Sequence, residues 1–107
     1  MGMSPMQHTS LGGTGMRTVV SGGTANALVT SSTPAKRVIV KAHNANSNLI
    51  YVGISTVATT LDAGNVLTGW HLAADQETPW IHVPGDDLLN VFIDGTTDED
   101  VTFMWDV

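Results

Sequence analysis

No stretch of this chain repeats its apolar residues at helical spacing over three turns, and that absence most restricts what it can fold into. Short β-branched runs recur instead about every ten residues, with Gly, Pro, Asn, Asp and Ser between them. The segment 36–43 alternates well, placing Val38, Val40 and Ala42 on one face and Arg37, Ile39, Lys41 and His43 on the other. Further strands are expected at 17–21, 25–30, 49–54, 66–72, 78–83, 89–93 and 101–105. Pro79 argues for a first position or a sheet edge, and Gly69 for a bulge or close packing. Asp86-Asp87-Leu88 should form a one-turn corner, burial is expected at Leu89, Val91, Ile93, Val101, Phe103 and Trp105, and Ser55 to Asn65 is a connection with little signal. This pattern predicts an all-β protein, a single small β-sandwich or barrel of about seven to eight short antiparallel strands.

Two turns suggest pairings. The Asn-rich run 44–48 should link 36–43 and 49–54 as a hairpin, because Asn tolerates left-handed backbone and bonds its own turn. Asp94-Gly95 opens the acidic link 94–100, expected as a solvated hairpin tip between the last two strands. Before Met16 the chain holds four glycines and three methionines without periodicity. Residues 1–15 therefore read as a flexible N-terminal arm ahead of a β-domain at 16–107. Such an arm is either a frayed terminus or a segment that orders against a neighbouring subunit, with Met3, Met6 and Leu11 as apolar anchors.

With 107 residues and 42% hydrophobic content, the chain has room for one core and lies outside the composition of disorder. It has no cysteine, so disulfides and thiolate metal sites are excluded, and its apolar runs fall far short of the ~20 residues of a spanning helix. The N-terminus lacks the charged and apolar regions of a signal peptide, so the product is expected in the cytosol when made. A net charge of −6 with only four cations argues against nucleic acid. Those cations, Arg17, Lys36, Arg37 and Lys41, all precede residue 42, and all ten acidic residues follow residue 61. Either the two halves offer complementary patches to partners or the strands interleave and mix them.

Little in the chain points to chemistry. The four histidines form no close pair, and a zinc site would need His71, His82 and Asp75 to converge. No nucleophile elbow appears, Asp94 to Asp100 lacks an EF-hand ligand pattern, and the glycines at 12–15 lack the flanking strand and helix of a phosphate loop. No enzyme activity or cofactor is expected. Three tryptophans are many for this length; they are either core packing or, for Trp70 and Trp80, anchors for a protein or stacking platforms for sugar. Trp80 is exposed if Ile81 and Val83 face inward.

Val38-Ile39-Val40-Lys41-Ala42, the Asn-rich turn, Ile50-Tyr51-Val52-Gly53, the Asp-Leu corner, Val91-Phe92-Ile93-Asp94-Gly95 and the closing strand 100–105 together resemble the small β-sandwich accessory proteins of tailed-bacteriophage virions, particularly head-decoration or cement proteins. The resemblance covers roughly residues 36 to 106 and rests on strand and turn grammar. It implies a non-enzymatic protein on the outer capsid surface of the virion, bound to the major capsid protein lattice and assembled as a homo-oligomer, often a trimer. On that reading the candidate partner contacts are Met3, Met6, Leu11, Arg17, Arg37, Lys41, Trp70 and Trp80, and neither nucleic acid nor membrane is a partner. The alternative is a carbohydrate- or receptor-binding β-module of a phage tail or fibre.

Overall fold

The computed structural model describes residues 11–54 and 70–107. Within them lie eight strands: β1 (Leu11–Thr18), β2 (Asn26–Ala27), β3 (Arg37–Ala42), β4 (Ile50–Gly53), β5 (Trp70–Leu72), β6 (Ile81–His82), β7 (Phe92–Asp94) and β8 (Asp100–Asp106). No α-helix occurs among the described residues; two 3₁₀ turns, Pro84–Asp86 and Leu88–Asn90, form the expected corner. The strands make two four-stranded antiparallel sheets, ordered β1-β8-β3-β6 and β2-β7-β4-β5.

Within each sheet the pairs β1–β8, β2–β7, β3–β6 and β4–β5 match the first strand with the last, the second with the seventh, and so inward. The chain is thus one long hairpin, bent at β4–β5 and rolled up so that β8 also pairs β3 and β7 also pairs β4. This is the eight-stranded jelly roll. Alternation buries Val38, Val40 and Ala42 from β3, Ile50 and Val52 from β4, and Val101 and Phe103 from β8, each less than 10% exposed. The two inner faces form one core, closed at the corner by Leu88 and Val91.

Rolling overturns both expected hairpins. β3 lies in the first sheet and β4 in the second, and β7 and β8 are likewise divided. Asp94-Gly95 does not make a two-residue hairpin turn, since neither residue has the positive φ that a type I′ turn needs. Gly95 is required by space instead: a Cβ there would come within 2.6 Å of Ile50 Cδ1. The link 94–100 is solvated only in its middle: Thr96, Thr97 and Asp98 are exposed, whereas Asp94 and Gly95 are buried.

Other boundaries shift. The strand expected at 17–21 runs from Leu11 to Thr18, so residues 11–15 of the expected arm are strand, while residues 1–10 lie outside the described set. The strand at 25–30 shrinks to Asn26–Ala27, and that at 78–83 to Ile81–His82, an edge strand as Pro79 suggested. The strand at 66–72 is seen only as Trp70–Leu72; the connection 55–65 and Gly69 fall outside the described residues. The 3₁₀ turn Leu88–Asn90 rotates Leu88 into the core and leaves Leu89 half-buried, which removes the expected burial of Leu89. Trp105 is only partly buried, although it packs on the core.

Why a Gly-rich segment is a strand follows from its neighbour. Phe103 and Trp105 project inward from β8 and stack with ring centroids 5.7 Å apart. A Cβ on Gly13 would meet the Trp105 ring at 2.7 Å, and one on Gly15 the Phe103 ring at 2.6 Å. The rings occupy the volume that β1 side chains would fill, so only glycine lets β1 lie beside β8. Gly15→Val should therefore destabilise the fold by about 1–3 kcal/mol in chemical denaturation. Thr14→Val, on the outer face of the same strand, should change it by less than about 0.5 kcal/mol.

Candidate functional site

At one end of the roll, side chains from the acidic link tie three loops together. Asp94, fully buried, accepts from the Gly23 and Gly95 N–H groups at 3.0 and 2.8 Å. Glu99 accepts from Ser47 and Asn48 N–H, and Asn46 exchanges two hydrogen bonds with the Asp100 main chain. Thr18 donates its hydroxyl to Asp100. These carboxylates satisfy loop N–H groups, a structural use that composition alone does not reveal.

A second cluster joins β3 to β8. Arg37 and Asp106 are cross-strand partners; the Arg37 Nη2 and Nε lie 2.7 Å from Asp106 Oδ2, and the Arg37 N–H donates to Oδ1 at 2.8 Å. Asp106 is 3% exposed, so its charge needs these partners. The other face of the guanidinium lies 4.9 Å from the Trp80 ring centroid. Ile81 packs against the core and Val83 is buried, which turns Trp80 outward as expected.

A further ion pair joins Lys36 Nζ to Asp86 at 2.9 Å, and the main chain of Lys41 pairs with that of Glu77 in an isolated antiparallel bridge. Strand β3 carries two of the four cations, Arg37 and Lys41, with Lys36 just before it, and lies between β8 and β6, both from the acidic half. Among the described residues the division along the sequence is thus mixed in space, and no pair of opposed basic and acidic halves results. Hydrogen bonding and the charge of Lys36 hold the Asp86 carboxyl below its usual range. Asp87 is likewise lowered, first by the Ser32 hydroxyl and then by the Leu89 and Thr33 N–H groups.

Two apolar surfaces remain. One is a groove of about 520 Å³ where the sheets part, lined by Val52, Ile54, Trp70, Ile81, His82 and Val91 among others. Trp70 pairs across from Val52, so it shares the inward face, yet it is 51% exposed because the sandwich opens there. The other is a shallow depression of about 580 Å³ on the outer face of the first sheet, over Thr14, Met16, Ile39, Lys41, Thr102 and Met104. Met16 is 62% and Met104 37% exposed.

Of the candidate contacts, Met3 and Met6 lie outside the described residues, and Leu11 begins β1. Arg17 turns inward and donates Nε to the Ala27 carbonyl at 2.9 Å, joining the two sheets. Arg37 is engaged by Asp106 and Trp80, while Lys41 stays exposed beside the outer depression. Trp70 and Trp80 do not form one platform: Trp70 lines the groove and Trp80 covers Arg37. His71 stands edge-on to Tyr51 at 4.5 Å, away from His82 in the groove. Among the described residues no three His, Asp or Glu side chains are grouped to hold a metal. Sequence reasoning missed Met16 and Met104, whose signal was their outward position in alternating strands. No protein-family model, curated protein or solved structure matches this chain.

Two measurements check this electrostatic description. Arg37→Ala should cost about 1–3 kcal/mol, less than a fully buried pair because the guanidinium is partly solvated, and should alter the Trp80 emission. The lowered folded-state value of Asp87 means its contribution is complete above pH ~4 and is lost as pH falls through that value. Asp87→Ala should therefore lower the thermal midpoint at neutral pH and narrow its gap from wild type near pH 3.

Proposed function

We propose that this chain is a non-enzymatic structural protein of a bacteriophage virion, which decorates and stabilises the capsid by binding the major capsid protein lattice in multiple copies. The observation that carries this reading is the outer face of the first sheet. Met16, Met104 and Ile39 give it a shallow, open, adaptable apolar surface that the core does not need. A shallow, open sheet face suits a broad protein surface better than a small molecule. The resemblance of residues 36–106 to head-decoration proteins supports the choice of partner. The jelly-roll topology supports it by fold-level analogy, since viral capsid proteins use that topology, as do lectins.

A second reading, the carbohydrate- or receptor-binding tail module, is favoured by Trp70, half exposed in an apolar groove beside His82. The two readings use different surfaces, the outer face of the first sheet and the groove between the sheets, and separate by mutation. Under the decoration reading, the protein co-sediments with phage capsid shells, Met104→Lys weakens that binding at least tenfold, and Trp70→Ala leaves it intact. Sugar-dependent quenching of tryptophan emission that Trp70→Ala removes, with no shell binding, would reverse the choice.

A further inference from the structure

Among the described residues three of the four sheet edges are short: β2 and β6 have two residues each and β5 shows three. The fourth, β1, has eight, and among the described residues no strand pairs its outer side. Proteins usually blunt such an edge with proline, lysine or an inward charge. β1 has no proline or lysine; its one charge, Arg17, points inward but is tied to Ala27 across the sandwich, and its register shift lies at Leu11–Gly13, before the regular stretch 14–18.

The ladder fixes which main-chain groups face outward. The Val19 N–H donates to the Glu99 carbonyl at 2.8 Å, on the β8 side. In an antiparallel ladder inward groups recur at every second residue, so Arg17 and Gly15 also point to β8. Thr14, Met16 and Thr18 then present their N–H and C=O groups to the open edge. Their side chains lie on the outer face and carry no charge, so a second acidic chain meets no like charge along this row.

We infer that β1 pairs with β1 of a second copy, antiparallel and with the two-fold axis at Met16. In that register Met16 faces Met16 of the other copy and Thr14 faces its Thr18, which satisfies all the outward groups of 14, 16 and 18. On the inner face Gly15 falls opposite Arg17 of the second copy, leaving room for the larger side chain. The most exposed apolar side chain of this face is thereby covered, and two sheets join into one of eight strands. An eight-residue edge is about 27 Å long and buries less than the ~1,200 Å² of a stable interface. The contact is therefore weak in dilute solution and forms where copies are crowded, as on a lattice. It closes at two copies and is separate from any threefold contact.

The pairing extends the multi-copy part of the proposed function but does not need a capsid. The chain lacks cysteine, so single cysteines report the register cleanly. At about 1 mM protein, Met16→Cys should join through a short bis-maleimide at least tenfold faster than Thr14→Cys or Thr18→Cys alone, because only residue 16 meets its own copy (Cα atoms ~5.5 Å apart). An equimolar mixture of Thr14→Cys and Thr18→Cys should cross-link as fast as Met16→Cys. Equal rates for the three single variants, or no cross-linking, would overturn the pairing; a foreign strand as the true occupant gives the second outcome. Met16→Pro removes only an outward N–H, so it should keep the native circular dichroism and abolish self-association in concentrated sedimentation runs. Cross-linking without shell binding counts against capsid decoration alone, and shell binding without cross-linking against the pairing alone.

Discussion

Two aromatic rings lying over a strand of glycines hold this architecture together. Phe103 and Trp105 reach from β8 across the inner face of β1 and occupy the volume above Gly13 and Gly15. That contact lets the first strand pair with the last, which is the outermost turn of the roll. Without it the first sheet would lose its edge strand, the outer apolar face would lose Met16, and Arg17 would no longer reach Ala27 in the other sheet.

Much of this was readable from the residues and some was not, for identifiable reasons. The alternation at 36–43 placed β3 and its faces correctly, because a two-residue period with one apolar side leaves no other register. The Asp-Leu corner followed from Pro84-Gly85. The pairings did not follow, since a turn such as Asp94-Gly95 joins strands in one sheet or arches between two, and packing of Gly95 against Ile50 decides which. β1 was misread because glycine carries no propensity for strand; its signal lay 90 residues away in Phe103 and Trp105. The charge division was plain in the sequence, but its consequence depended on β3 lying between β8 and β6. Of the candidate contacts, Trp70, Trp80 and Lys41 are on the surface, whereas Arg17 and Arg37 serve the fold.

The polar groups follow one logic. Asp94, Glu99 and Asp106 each satisfy main-chain N–H groups or a cation where loops and strands meet, although the second Glu99 oxygen, Oε1, is buried without a hydrogen-bond partner. What remains outside is apolar and shallow on the first sheet, apolar and concave at the groove, and hydrogen-bonding along β1.

The central claim is that residues 11–18 are an ordered edge strand with one side free. Residue-resolved amide hydrogen exchange in dilute solution tests it directly. The account predicts alternation: protected amides at Gly15, Arg17 and Val19, fast exchange at Thr14, Met16 and Thr18. Uniformly fast exchange from Leu11 to Val19 would contradict it, since the segment would then be an arm and not a strand.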